Sequence, residues 1–167
     1  MQQYTFPYQL YLNSELPAEI ENLVAAATKA TEKAYAPYSN LKVGAAILMT
    51  DGSIITGANQ ENAAFPNGLC AERSALAHVH IDDESPKVKA IVVTYSGKIQ
   101  NPEKPISPCG MCRQNILETQ HRQQSPITVY MCSPSGQVLM IEDAEHLLPF
   151  SFGSDNLPFT DPPGVES

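Results

Sequence analysis

Apolar positions along this chain follow two periods, and the switches between them mark out the elements. Leu16, Ile20, Leu23, Val24 and Ala27 keep helical spacing, and Pro17 suits a first helical turn. Ala36-Pro37 ends that helix, because the residue before a proline is driven out of the helical region. Val43 to Met49 is apolar almost throughout and reads as a buried strand. Asp51-Gly52 is a hairpin signal, and Ile54 to Ala58 returns as a second strand. A polar connection over 59–69 then leads into a helix over 70–81, and Val88 to Tyr95 reads as a central strand. A loop with Pro102 and Pro105 precedes another helix. Ser107 is its expected N-cap, Pro108 its first position, and it runs to about His121. Ile127 to Cys132 and Val138 to Ile141 are strands joined at Pro134-Ser135-Gly136, and Asp143 to Leu148 is a short helix.

Residues 1–15 are rich in Tyr, Pro and Gln without a period and read as an extended arm; 157–167, with Pro158, Pro162 and Pro163, read as a loose tail. Helices and strands alternate through the second half. That pattern predicts a three-layer α/β/α sandwich around a mixed sheet of about five strands, as one domain over 1–167.

Composition narrows the function classes. The 167 residues are enough for one core, and 43% hydrophobic with 17% charged residues excludes a disordered chain. Ten Lys and Arg against eighteen Asp and Glu, a net charge of −8, argue against a basic face for nucleic acid or anionic lipid. No apolar run approaches the ~20 residues that span a bilayer. The first residues, Met-Gln-Gln-Tyr-Thr-Phe-Pro-Tyr, lack the basic-then-apolar pattern of a secretory signal, so a cytoplasmic protein with reduced thiols is expected. The four cysteines are then free thiols or metal ligands rather than disulfide partners.

Three of them fall at predicted helix starts: Cys70 at one, Cys109 and Cys112 at the next. Cys109 and Cys112 are spaced to share a helical face, and helix N-termini favour thiolates, which bind zinc. Three protein ligands leave a fourth tetrahedral position open, the catalytic arrangement. Cys109-Gly110-Met111-Cys112 also suits a redox pair, and Cys132 is either a fourth, structural ligand or, more economically, a buried apolar thiol.

The surroundings of these cysteines are specific: Cys70-Ala71-Glu72-Arg73, and Ser107-Pro108-Cys109-Gly110-Met111-Cys112-Arg113-Gln114. Zinc deaminases carry a ligand-x-Glu segment followed by Pro-Cys-x-x-Cys, with three cysteines as one ligand variant. The sequence resembles the small, three-cysteine cytidine deaminases. The resemblance extends to Ala36-Pro37-Tyr38-Ser39, Lys42-Val43-Gly44-Ala45-Ala46, Asn59-Gln60-Glu61-Asn62-Ala63 and Leu147-Leu148-Pro149 with Ser151-Phe152-Gly153.

It implies zinc on Cys70, Cys109 and Cys112, and Glu72 as the proton carrier for hydrolytic deamination of cytidine and deoxycytidine, a reaction of pyrimidine salvage. It also implies Asn59 and Glu61 on the ribose, backbone near Ala71 on the pyrimidine edge, and Arg73 offsetting the net negative charge of three thiolates and Zn²⁺. Leu41 stands where the family often has Phe on the base, Phe65 where Tyr is common, and the 96–106 loop is longer than usual. The family is typically homotetrameric with shared sites, which makes Phe152 a candidate to reach a neighbour's pocket. A nucleic-acid deaminase would need a basic groove, which the charge disfavours. A blasticidin-type or other heterocycle deaminase would share the metal motif, but the Asn59/Glu61 pair favours a ribosyl substrate, and a non-catalytic zinc module would not need Glu72. One geometric condition follows. Positions i and i+2 of a helix face away from each other, so Cys70 and Glu72 share a site only if Cys70 sits at the very start of its helix.

Overall fold

A computed structural model of the chain describes residues 1–82, 84–97, 99–153 and 156–157. The strands are β1 (Gln9–Leu12), β2 (Lys42–Met49), β3 (Ile54–Ala58), β4 (Val88–Ser96), β5 (Thr128–Cys132) and β6 (Gln137–Ile141). The helices are α1 (Ala18–Ala30), α2 (Ala71–Leu76) and α3 (Gly110–Gln123). The strands form one sheet in the order β1-β6-β5-β4-β2-β3. Only the β4–β5 pair is parallel, and α3 is its crossover.

Period-two alternation splits the sheet's side chains between two cores. Ala45, Ile47, Ile91, Val93, Val129 and Met131 face α2 and α3, meeting Ala71, Ala75 and Ile116. Ala46, Leu48, Ala90 and Val92 face the other way, against Ile20, Leu23 and Ala27 of α1 and Leu16 just before it. Each fully buried Leu or Ile contributes about 1.5–3 kcal/mol. The three-layer expectation is met.

The sheet has six strands rather than five. The additional one is β1, in the segment read as an extended arm, which pairs antiparallel with β6 from Gln9↔Met140 to Leu12↔Gln137. The loose tail expected over 157–167 lies, from residue 158 on, outside the described residues.

Element ends shift for local reasons. After α1 a 3-10 turn over Thr31–Lys33 ends the helical run, because Tyr35 turns to pair with the 59–61 segment: its N–H donates to the Asn59 carbonyl (3.0 Å) and its carbonyl accepts from Glu61 N–H (2.8 Å). α2 stops at Leu76, well short of residue 81. α3 starts two residues later than the Ser-Pro signal suggests, with Cys109 rather than Ser107 as the N-cap residue. The expected short helix after Asp143 is a 3-10 turn, Ala144–Leu147, capped by the Asp143 side chain.

Two glycines let the helices settle on the sheet. A Cβ on Gly44 would lie 2.0 Å from the Ala27 carbonyl of α1, and one on Gly57 would lie 2.4 Å from both Ala71 O and Ala75 N of α2. Gly57 therefore seats the first turn of α2 directly on β3. Among the described residues no helix is long and apolar enough to cross a membrane.

Candidate active site

Cys70 is the N-cap residue of α2, with extended backbone (φ −72°, ψ 155°), and Cys109 is the N-cap residue of α3 (φ −69°, ψ 169°). Both sulfurs therefore sit beyond helix ends rather than on helix faces. Cys112 lies in the first turn of α3 and is fully buried. The geometric condition on Cys70 and Glu72 is thus met: a capping residue is not bound by the helical i, i+2 opposition.

The three Sγ atoms lie within 4.8 Å of one another, the one such ligand group among the described residues. Cys70 to Cys109 is 3.7 Å and Cys109 to Cys112 is 3.5 Å. A tetrahedral zinc with bonds of 2.3 Å requires sulfurs ~3.8 Å apart, so the donor set fits that ion with little movement. Its chemistry fits as well. The Cys70 thiol is drawn down to about 6, first by the adjacent Cys112 thiol as hydrogen-bond donor, with help from Cys109 and the Arg73 charge. Cys112 is pushed up by that same pairing and by burial.

Glu72, in the first turn of α2, is only 4% exposed, and burial pushes its carboxyl above the ordinary range. A cavity of about 350 Å³ opens beside it. Its walls include Cys70, Ala71, Glu72 and Cys109 together with Asn59, Gln60 and Glu61. The structure thus brings together Asn59, Glu61, Ala71, Glu72 and two of the cysteines, with Cys112 buried behind them.

Other expected site residues lie outside that lining. Leu41 is half-buried on the loop before β2. Arg73 is half-buried on α2 and acts on Cys70 through its charge. Phe152 is 59% exposed, held to α3 by a hydrogen bond from Gln114 Nε2 to its carbonyl (2.8 Å). Arg113 is engaged by backbone: its guanidinium donates to the carbonyls of Pro108 (2.9 Å) and Leu147 (3.0 Å), fixing the start of α3 to the 3-10 turn over Ala144–Leu147.

Sequence reasoning missed Val43, Gly68, Leu69, Ile106 and Ser107 as cavity walls. Leu69 and Gln60 exchange backbone hydrogen bonds (2.8 and 2.9 Å), which folds the polar 59–69 connection into a rim. Ile106 and Ser107 end the long 96–106 loop. Tyr95 anchors that loop through its hydroxyl to the Pro102 carbonyl (3.1 Å), and the Ile106 N–H donates to Cys132 O (3.3 Å).

Known proteins resemble this chain in sequence and fold. The family profile described as "Cytidine and deoxycytidylate deaminase zinc-binding region" matches residues 17–126, a stretch holding the three clustered cysteines and Glu72. The chain belongs to the cytidine and deoxycytidylate deaminases. Within that family it is 38% identical over 141 residues to a cytidine deaminase of Sporosarcina psychrophila, covering 84% of this chain and 96% of that protein. A cytidine deaminase of Halalkalibacterium halodurans is also 38% identical, over 135 residues, covering 81% and 95%. The crystal structure of a cytidine deaminase from Burkholderia pseudomallei superposes with a TM-score of 0.67 at 39% identity. It covers 79% of this chain and 98% of the other.

Proposed function

We propose that the protein is a zinc-dependent cytidine deaminase, converting cytidine and deoxycytidine with water to the uridine nucleosides and ammonia in pyrimidine salvage. The observation that carries this reading is a buried carboxyl, Glu72, lining one cavity with Cys70 and Cys109, two sulfurs of a three-sulfur ligand set. Cys70, Cys109 and Cys112 would hold the zinc. When bound, that ion would supply the Lewis acidity that lowers a water's pKa to about 7.

Glu72 takes a proton from the attacking water as the new oxygen–C4 bond forms, and delivers it to N3 of the ring. It then passes the second proton to the amino nitrogen as the C4–N4 bond breaks and ammonia leaves. The Arg73 charge offsets the excess negative charge of the thiolates. Asn59 and Glu61 receive the ribose, the backbone near Ala71 reads the pyrimidine edge, and Leu41 offers an apolar wall to the base. A ligand set of reduced thiols suits the cytoplasm.

The test is loss of the cytidine absorbance band with cytidine, deoxycytidine, their monophosphates and adenosine compared side by side. Turnover of the two free nucleosides, with little of the monophosphates and none of adenosine, is expected. Turnover confined to a monophosphate would overturn the assignment.

Assembly into a homotetramer with shared sites completes this reading. Phe150 is 96% and Phe152 59% exposed, on a segment with no core of its own, and exposed aromatic clusters of this kind mark interfaces. Closed symmetry then gives each subunit an equivalent site. Light scattering of the wild type is expected to show four subunits. Phe152→Ala is expected to keep the assembly and raise KM for cytidine. A monomeric, fully active wild type would sink the shared site.

A further inference from the structure

Glu61 is held from outside the cavity that it lines. The Ser39 hydroxyl donates to Glu61 Oε1 and accepts from the Leu41 N–H at 3.0 Å. The N–H groups of Tyr38 (2.8 Å) and Ser39 (3.3 Å) both reach Glu61 Oε2. Asn59 grips the same loop further along: its Nδ2 donates to Leu41 O (2.9 Å) and its Oδ1 accepts from Val43 N–H (2.7 Å). The polar pair on the cavity wall and the loop that carries Leu41 are therefore one cross-linked unit, with Ser39 at its node.

Lone-pair accounting gives the node a function. A carboxylate offers about four acceptor directions. The loop takes both on Oε2 and one on Oε1, so one direction remains, on the oxygen that Ser39 fixes. A glutamate at an open rim otherwise spreads over many rotamers, and ordering it on substrate binding costs affinity.

We propose that Ser39 is a positioning residue: it pre-orients Glu61 so that the single open acceptor on Oε1 meets one sugar hydroxyl, and it couples that contact to the Leu41 loop. This rests on the assignment of Glu61 to the sugar made above. The same hydrogen bonds, that of the Ser39 hydroxyl foremost, hold the Glu61 carboxyl below its ordinary range, so it stays ionised across neutral pH.

Steady-state kinetics with cytidine and with 2′,3′-dideoxycytidine, which lacks the 2′- and 3′-hydroxyls and keeps the 5′-hydroxyl, test this for a ring hydroxyl of the sugar in wild type, Ser39→Ala, Ser39→Thr and Glu61→Gln. Ser39→Ala is expected to raise KM for cytidine about tenfold while kcat, and KM for the dideoxynucleoside, stay within about twofold. Ser39→Thr, which keeps the hydroxyl, is expected to restore the cytidine KM. Ser39 is exposed, so zinc content and melting temperature should not move. Equal losses on both substrates, or none on either, would overturn the positioning role. If Glu61→Gln shows the cytidine-specific loss and Ser39→Ala does not, only the role of Ser39 fails. If neither discriminates, the sugar assignment falls and the proposal with it.

Discussion

Glu72→Gln is expected to lower kcat for cytidine by about 10²–10⁴-fold while zinc content, melting temperature and assembly remain those of the wild type. The amide has the shape of the carboxyl but cannot take up and release a proton at neutral pH. The side chain is only 4% exposed, so bulk water cannot readily stand in as the base. A carboxyl kept only for packing would behave differently: replacing it with its isostere would change stability and leave kcat near the wild-type value. Zinc measured on the same samples separates the two cases. A zinc-replete Glu72→Gln enzyme retaining more than about a tenth of the wild-type kcat would remove Glu72 from proton transfer, since general acid–base catalysis is worth far more than that.

The fold makes this role available through the way α2 begins. Gly57 admits the helix onto β3, with a virtual Cβ only 2.4 Å from Ala71 O, so the first turn is fixed in height against the sheet. Cys70 then leaves the helix as its cap while Glu72 remains inside it. Two residues that a regular helix would separate come to flank one cavity. A side chain at Gly57 would lift that turn and shift ligand and carboxyl together.

Much of this was legible in the residues. The apolar run Val43 to Met49 and the strands read over Val88 to Tyr95 and Ile127 to Cys132 follow from local pattern, and Asp51-Gly52 forms the expected hairpin, Gly52 at φ +85°. The cysteine and glutamate spacing pointed to the cluster that the fold assembles. What escaped was non-local. β1 has exposed Leu10 and Leu12, so no buried face announces it, and its partner β6 lies more than a hundred residues away. The start of α3 escaped because Ser107-Pro108 is a strong capping signal. Cys109, which caps without a side-chain hydrogen bond, carries none. The roles of Ile106 and Ser107 depend on where a long loop returns, which no periodicity encodes. Ser39 reads as an ordinary turn residue until Glu61, distant in sequence, is placed against it.

Removal of the metal is the other large effect. Cys112→Ala is expected to bind no zinc at the concentrations that saturate the wild type, to lose cytidine turnover altogether, and to melt well below the zinc-loaded protein. Cys112 is fully buried, and its sulfur lies 3.5 Å from that of Cys109. Truncating it leaves two sulfurs, and no other ligand group close enough to share an ion is present among the described residues. Because binding to a preformed site adds directly to folding stability, wild-type protein stripped by a chelator should melt early too. The two are then separated by adding zinc back: the stripped wild type regains activity and melting temperature, and Cys112→Ala regains neither. Cys132→Ala is the control. Cys132 packs with Leu23, Leu48 and Val92 under α1, on the opposite side of the sheet from the cluster, and burial pushes its thiol up to about 12. It should keep full zinc. Loss of zinc from Cys132→Ala would mean a fourth sulfur on the ion, and a closed site of that kind leaves no position for the water that the reaction requires.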